Sequence, residues 1–411
     1  MITYVIPTRD RADRLLQTLE VLGRLAGHEA APEGPGEVIV IDNASAVPPT
    51  TPQVLRNGLR VRLLVRRSNE GAASRNLGVE HADPRSEWVV MLDDDSFPVD
   101  TGFVRRLCRA PADVAAVSAD IYLPGLARRE SGGLPEVFVG CGVAIRRRVF
   151  LDLGGYDPSF NYYAEEYDLA ARIIRAGMRV AFDPWFRVEH HKVAQGRDMN
   201  TITARLVRNN GWVMQRYAPE HLRRAQIRTQ RRRYRRIAQL ESAMPGYARG
   251  LVELRRTIRS QIRSPMSPEQ FDRFTGLFYA RQALAQAHAR GPLRKVAIVD
   301  EGKNGWVVRT ALAELGIEVL ESGAAGEQRA DALVVGTMSP GAKPDTPGRT
   351  PQCRCRRSCR PRWEARCTWA SCPNHRSIRT HAPPTAAARG RAYAHARPER
   401  TSRTGMPGAL S

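Results

Sequence analysis

The chain of 411 residues contains no long apolar run, which excludes one large class of proteins. No stretch approaches the roughly 18 consecutive apolar residues that a membrane-spanning helix requires. Residues 1–6 lead straight into an apolar strand, without the basic segment and the cleavage site of a secretory signal. We therefore expect a cytoplasmic protein without a transmembrane segment.

Cysteine and lysine are also scarce. Only Cys108 and Cys141 precede residue 350, which fits a reducing compartment and argues against a disulfide framework. With only 4 lysines, the net charge of +22 comes almost entirely from arginine, and the excess is confined to residues 205–263 and 349–411. The rest of the chain is close to neutral, so the high pI says little about the ligand of that part.

The first 100 residues contain an alternation of apolar strands and amphipathic helices. The spacing of their apolar residues predicts strands at 2–6, 37–41, 60–65 and 88–92, and helices at 11–25 and 72–81. This succession predicts an α/β fold with a doubly wound, mostly parallel sheet. In such a fold the ligand lies beyond the carboxyl ends of the strands.

The most informative stretch follows the fourth predicted strand, where an apolar run ends in Asp93, Asp94 and Asp95. Three adjacent carboxylates repel one another, so near a pocket they require a metal or a cationic partner. Mg²⁺ and Mn²⁺ prefer oxygen ligands and often join carboxylates to nucleotide phosphates. The alternative is a solvated acidic turn, because runs of charge usually lie at the surface.

Two further polar features could meet this triplet. Glu165 and Glu166 lie at the start of a predicted helix, and a carboxylate that does not bind metal can act as a general base. His190 follows an apolar strand and is a candidate metal ligand, although a hydrogen-bonded structural histidine is the alternative. The sequence therefore predicts a site assembled from several strand and helix ends.

Six motifs occur in a fixed order along the chain: Val5-Ile6-Pro7-Thr8, Val40-Ile41-Asp42-Asn43, residues 69–78, Leu92-Asp93-Asp94-Asp95, residues 165–169 and Val188-Glu189-His190. In this order and spacing they resemble the family 2 glycosyltransferases of GT-A fold. The resemblance extends from the first residue to about Pro219. It implies an inverting transfer of a sugar from a nucleoside-diphosphate donor to an acceptor hydroxyl.

The resemblance also implies a role for each matching residue. The residues that would bind the nucleotide sugar are Pro7, Thr8, Arg9, Asp42, Asn69, Arg75, Asn76, Asp93 and Asp94. Asp95, with Asp93 and His190, would hold a divalent Mg²⁺ or Mn²⁺ ion that neutralises the diphosphate. For Arg75 the alternative to a role in the nucleotide pocket is an exposed position on the surface of its helix.

The position of the general base matches Glu166, where the family commonly has an aspartate. The side chain is one methylene longer here, so the choice between Glu165 and Glu166 stays open. The acceptor would be a glycan, a lipid-linked molecule or a small molecule. A noncatalytic nucleotide-sugar or glycan binding protein is one alternative function. A nucleotidyltransferase is the other, although the first loop lacks the glycines typical of that class.

Four segments follow from this pattern. We predict a GT-A domain at 1–220, an arginine-rich helical segment at 221–290, a partial Rossmann-like βαβ unit at 291–340 and a disordered low-complexity tail at 349–411. The arginine-rich segment is a solvated surface, a contact with an anionic membrane or, less expected, a nucleic-acid contact. The composition of the tail indicates a change of reading frame, because its cysteine and histidine spacings match no dependable zinc pattern.

Overall fold

The computed structural model describes residues 1–28, 34, 36–192, 198–302, 304–321, 323, 329–340 and 378–379. Its strands are β1 Ile2–Thr8, β2 Glu37–Asp42, β3 Arg60–Val65, β4 Trp88–Met91, β5 Ser96–Pro98, β6 Val114–Leu123, β7 Arg128–Glu130, β8 Val143–Arg146, β9 Arg179–His190, β10 Lys295–Val299, β11 Glu318–Leu320, β12 Ala332–Val335 and β13 Ile378–Arg379. Its helices are α1 Ala12–Arg24, α2 Ser74–Glu80, α3 Gly102–Leu107, α4 Arg147–Asp152, α5 Glu165–Arg175, α6 Met199–Tyr217, α7 Glu220–Leu240, α8 Met244–Thr257, α9 Pro268–Thr275, α10 Leu277–Arg290 and α11 Gly305–Glu314.

The main sheet has nine strands in the order β3-β2-β1-β4-β8-β6-β9-β5, with β7 paired to β6. The first four strands of this order are parallel, as the sequence predicts. Strand β8 runs antiparallel to both β4 and β6, and β9 returns parallel to β6. The predicted α/β class is confirmed. The βαβ pattern of the sequence did not predict the antiparallel strand β8, because a long loop and not a helical crossover precedes it.

Both faces of the sheet are buried at its central strands β1, β2 and β4. In β1, Tyr4 and Ile6 face one hydrophobic cluster and Val5 faces the other. In β2, Val40 and Ile41 divide between the two clusters in the same way. Because successive strand residues point to opposite faces, a near-continuous apolar run is what a strand covered on both sides requires. Each fully buried side chain of this size contributes about 1.5–3 kcal/mol relative to exposure.

The C-terminal elements pack against the main sheet. Strands β10, β11 and β12 are parallel and β13 pairs antiparallel to β12. The buried carboxylate of Glu136 accepts hydrogen bonds from Arg273 at 2.8 and 2.9 Å and from the Tyr279 hydroxyl at 2.6 Å. The hydrophobic cluster on that face includes residues from Val5 to Met338. The predicted boundaries at 220 and 290 stay predictions, and packing continues across both.

The low-complexity tail enters this description only through β13. All other residues of 349–411, and with them the predicted disorder and the zinc alternative, lie outside the described residues. Within the described part of the chain, every helix is too short or too polar to cross a bilayer.

Candidate functional site

The site lies where the carboxyl ends of β1, β2 and β4 meet. A tight turn after β4 presents the three aspartates, because the Asp93 N–H donates to Ser96 Oγ at 2.8 Å and the Ser96 N–H donates back to the Asp93 carbonyl at 3.2 Å. Ser96 Oγ also donates to the Cys141 carbonyl at 3.0 Å, which ties the turn to the glycine-rich segment before β8. The triplet is therefore held in a fixed loop at the sheet edge.

Each aspartate of the triplet has a cationic side chain beside it. Arg75 forms an ion pair with Asp93, and Arg11 bridges Asp94 at 2.7 Å and Asp95 at 2.5 Å. Asp94 and Asp95 are both buried, so the alternative of a solvated acidic turn is wrong. The sequence reasoning missed Arg11, and its only signal is the Arg-Asp-Arg run that follows β1.

Burial has a large effect on the pKa of Asp94. Burial raises the pKa of Asp94 to about 7, although the Arg11 charge and a hydrogen bond from Thr8 Oγ1 at 2.8 Å oppose the rise. For Asp95, burial also raises the pKa, but hydrogen bonds with His190 and Arg11 outweigh it and lower the net value. The two neighbouring carboxylates therefore differ in character, since only Asp95 is held firmly ionised.

His190 is the last residue of β9 and faces the triplet. Its Nε2 lies 3.2 Å from Asp95 Oδ1 and 3.8 Å from Asp93 Oδ2. Its Nδ1 lies 2.8 Å from Glu130 Oε2 and 3.3 Å from Cys141 Sγ. Burial alone would lower the pKa of His190, but Asp95, Cys141 and Glu130 together raise it to about 12. Glu130 thus orients the ring so that Nε2 points toward the two aspartates.

The donor set suits a divalent cation. Two carboxylates and an imidazole converge; the carboxylates suit Mn²⁺ or Mg²⁺, and His190 would join them as a ligand on losing its Nε2 proton when the ion binds. Among the described residues, Asp93, Cys141 and His190 also offer ligand atoms within 4.8 Å of one another. Cys141 lies on the Nδ1 side of the ring, and burial raises the pKa of its thiol to about 11. It is therefore a neutral neighbour, and the predicted set of Asp93, Asp95 and His190 fits the ion.

Asp42 ends β2 with an acceptor that has no partner. Its Oδ1 accepts the Ser45 N–H at 3.1 Å, whereas Oδ2 is buried without a hydrogen bond in the described part of the structure. A buried acceptor without a partner costs about 1–3 kcal/mol, which a donor on a ligand would offset. Pro7 and Thr8 end the neighbouring strand β1. Arg9 is exposed and donates to the Ala44 carbonyl at 3.3 Å.

The remaining predicted nucleotide residues differ in their surroundings. Arg75 is 5% exposed, so its helix-surface alternative is wrong. Asn69 Oδ1 accepts the Gly71 N–H at 2.9 Å. Asn76 exchanges two hydrogen bonds with the Tyr156 backbone, at 2.8 and 2.9 Å. Both amides therefore support loops around the site, and direct contact of either with a nucleotide stays a prediction.

A strained loop leads into the helix that carries Glu165 and Glu166. Asn161, Tyr163 and Ala164 all have positive φ, between 61° and 72°. Such a conformation costs about 1–2 kcal/mol for each residue with a Cβ. The Asn209 side chain, on α6, donates to the carbonyls of Phe160, Tyr162 and Tyr163 at 3.0, 2.9 and 2.7 Å. Strain held in place by such contacts is typical of functional sites.

Glu165 and Glu166 start α5 in different environments. Glu165 is buried and its Oε2 has no hydrogen bond within the described residues, whereas Glu166 is half-buried and accepts the Gly140 N–H at 3.3 Å. Burial raises the pKa of both carboxyls, with the Glu166 charge adding to the rise at Glu165 and the Arg75 charge opposing it at each. Glu166 is therefore the more accessible carboxylate of this pair, and the choice of the base stays a prediction.

A family model matches the part of the chain that forms this site. Residues 3–167 match the family described as Glycosyl transferase family 2. This segment contains every predicted site residue except His190. The match supports the resemblance to family 2 for this segment of 165 residues, and the observed α/β fold agrees with it, while inversion stays a prediction.

Curated relatives and solved structures give further likenesses. The pre-mycofactocin glycosyltransferase of Mycobacterium tuberculosis (strain CDC 1551 / Oshkosh) is 27% identical over 221 residues, which cover 48% of this chain and 44% of the relative. The chain thus spans under half the length of the curated relatives it matches. GalNAc-T7 with UDP, GalNAc and Mn²⁺ has a TM-score of 0.44 at 16% identity, covering 63% of this chain and 57% of that one. The mannosyltransferase PcManGT from Pyrobaculum calidifontis, in complex with GDP-Man and Mn²⁺, has a TM-score of 0.38 at 17% identity, covering 76% and 84%.

Proposed function

We propose that this chain is a metal-dependent, inverting glycosyltransferase that moves a sugar from a nucleoside-diphosphate donor to an acceptor hydroxyl. The observation that carries the proposal is the convergence at one sheet edge of three groups. They are the unpartnered oxygen of Asp42, the cation-binding set of Asp93, Asp95 and His190, and the half-buried carboxylate of Glu166. The family match over residues 3–167 supports the same function.

The donor is bound by groups at the strand ends. Asp42 Oδ2 accepts an N–H of the base, which gives selectivity in addition to charge attraction. Thr8 and Asp94, already joined by a hydrogen bond of 2.8 Å, lie where the ribose hydroxyls would be contacted. Asp93, Asp95 and His190 would hold Mn²⁺ or Mg²⁺, which supplies positive charge to the diphosphate leaving group when bound.

The transfer step needs one base and no covalent intermediate on the protein. Glu166 accepts the proton of the acceptor hydroxyl, whose oxygen forms a bond to the anomeric carbon. The bond from that carbon to the diphosphate oxygen breaks on the opposite face, so the configuration inverts. Arg75 lies close to Asp93 and Glu165, and its buried charge holds this acidic group of side chains together.

The test is direct measurement of donor binding and turnover. Purified chain is titrated with UDP-, GDP- and dTDP-sugars in the presence of Mn²⁺ or Mg²⁺, and release of the nucleoside diphosphate is followed. Saturable, metal-dependent binding with slow hydrolysis supports the transferase. Binding without any turnover favours a noncatalytic nucleotide-sugar binding protein. Release of pyrophosphate from a nucleoside triphosphate favours a nucleotidyltransferase.

The pH dependence of turnover should report the base. Burial raises the pKa of Glu166 above the 4.5 of an ordinary glutamate. A general base must be ionised, so kcat should fall as the pH drops through this raised value. We expect the acid limb of kcat at saturating donor to lie above pH 4.5. Nucleotide affinity, measured separately at each pH, is the control. A kcat that stays flat down to pH 4.5 would contradict the assignment.

Peripheral contact with an anionic membrane is supported by the arrangement of arginines on α7. Arg224, Arg228, Arg232 and Arg235 are exposed and spaced so that they share one helix face. Each basic side chain at an anionic surface contributes about 1 kcal/mol. The chain should float with vesicles that contain phosphatidylglycerol and stay behind with phosphatidylcholine alone. Replacing Arg228 and Arg232 by glutamine should weaken flotation, whereas Arg148→Gln on α4 should not. Equal behaviour on both vesicles would favour a solvated surface.

A further inference from the structure

A second polar cavity lies between α6 and α8. Its volume is about 410 Å³, and its lining residues are Thr201, Ala204, Arg205, Arg208, Arg249 and Glu253. The members on α6 follow one another at helical spacing and therefore share one face of that helix. Those on α8 are one turn apart. None of these residues comes from the strand ends at which the donor is proposed to bind.

The close approach of the two helices gives the cavity a rigid wall. A Cβ at Gly246 of α8 would lie 2.2 Å from the Asn200 carbonyl oxygen, and one at Gly250 would lie 2.6 Å from the Ala204 carbonyl oxygen. Only glycine allows the backbones to come so close. Because the helices are in direct contact there, the backbones that carry the arginines are fixed relative to each other.

Positive charge in the cavity is only partly neutralised. Arg208 pairs with Glu253 at 3.2 Å, and Arg249 lies 4.0 Å from the same carboxylate and donates to Thr201 Oγ1 at 3.1 Å. Arg205 has no carboxylate partner among the described residues and lies over the Tyr162 ring at 5.7 Å. Three guanidinium groups therefore share one carboxylate. Burial, with the charge of Arg205 adding to it, lowers the pKa of Arg208, while Glu253 opposes this.

The cavity adjoins the strained loop that precedes the proposed base. Arg208 donates to the Phe160 carbonyl at 3.3 Å, and the Tyr162 ring that contacts Arg205 belongs to the same loop. Two residues beyond Tyr163, the chain enters α5 at Glu165 and Glu166. Two of the three arginines therefore contact the loop that leads directly into the helix of the proposed base.

We propose that this cavity binds an anionic group of the acceptor, a carboxylate or a phosphate. Arginine forks match the planar or tetrahedral oxygens of such groups with paired N–H donors. The acceptor hydroxyl then lies toward Glu166, on the far end of the same molecule. The assignment of the anion to the acceptor rests on the proposed function. Binding of the anion by the cavity does not depend on transfer.

The test uses inorganic phosphate and acetate as probes, titrated by calorimetry at constant ionic strength. Arg205→Gln is the main variant, because Arg205 forms no ion pair in the described structure and its replacement should leave the fold intact. We expect it to weaken anion binding about tenfold or more. Arg148→Gln on α4 changes the net charge equally, far from the cavity, and should bind as the unmodified chain does. Dependence on Arg205 separates this cavity from the donor site.

The outcomes divide cleanly. Stronger binding of phosphate indicates a phosphorylated acceptor and stronger binding of acetate indicates a carboxylated one, and either supports the site. Equal anion affinity in the unmodified chain and in Arg205→Gln, or no binding at all, overturns it. Nucleoside-diphosphate affinity is measured in the same samples and should not change with Arg205. Intact anion binding without any donor binding would overturn the transferase function and leave the anion site standing.

Discussion

Replacing Glu166 by glutamine should reduce glycosyl transfer by about a hundredfold to ten-thousandfold, the range that a general base contributes. Glutamine keeps the size of the side chain and its hydrogen bond from the Gly140 N–H, but it cannot take a proton from the acceptor. Nucleotide affinity should stay within about twofold, because the hydrogen bond that holds the Glu166 side chain in the described structure comes from the Gly140 N–H and not from the ends of β1, β2 and β4. Single-turnover transfer and nucleotide titration together measure both quantities.

Glu165→Gln is the matched comparison for this experiment. Glu165 is buried and its Oε2 has no hydrogen bond from the residues that the structure describes, so Glu165→Gln should perturb stability more than turnover. If Glu165→Gln removes transfer while Glu166→Gln retains it, the base is Glu165 and the exposure argument is wrong. Full turnover in both variants would remove this carboxylate pair from the mechanism.

Replacing Asp95 by asparagine should weaken Mn²⁺ binding by at least about a hundredfold. Loss of even an indirect partner of a metal ligand costs about tenfold to a hundredfold, and Asp95 is a direct candidate. The carboxylate lies 3.2 Å from His190 Nε2 and is held ionised by His190 and Arg11. Paramagnetic resonance of a Mn²⁺ titration measures the site without relying on turnover, and nucleotide binding with and without EDTA measures its coupling to the donor.

Asp152→Asn provides the control for Asp95→Asn. Asp152 lies on α4, where its exposed carboxylate pairs with Arg148, so its loss removes the same charge far from the triplet. It should leave Mn²⁺ binding and nucleotide binding unchanged. A Mn²⁺ titration that is the same in Asp95→Asn and in the unmodified chain, together with nucleotide binding insensitive to EDTA, would refute the metal role of Asp95.

The sequence was sufficient for the half of the sheet that forms the donor edge. Strands β1 to β4 and helices α1 and α2 follow from local spacing, because each buries an apolar pattern that can be read over a few residues. Asp42 and the triplet were then placed at the same edge by the rule that parallel strands end together. The structure agrees with each of these placements.

Contacts between segments that are distant in the chain could not be predicted from the sequence. Arg11 meets Asp95 across 84 positions, Glu130 meets His190 across 60, and Cys141 meets His190 across 49. No periodicity encodes such pairs, since they depend on how loops from different strands fold over the same edge. The hydrogen bonds of Asn76 with the Tyr156 backbone are another such pair, 80 positions apart, and contact of Asn76 with a nucleotide stays a prediction.

The hydrophobic cluster shared by the main sheet and the C-terminal strands has a consequence for the gene. Its members extend from Val5 to Met338, so the strands after α10 belong to the same packed core as the sheet that presents the site. We expect substitutions in these strands to affect the site through packing, although the strands are distant from the site residues in sequence. A shift of reading frame downstream of residue 340, by contrast, leaves every side chain of the cluster encoded as before.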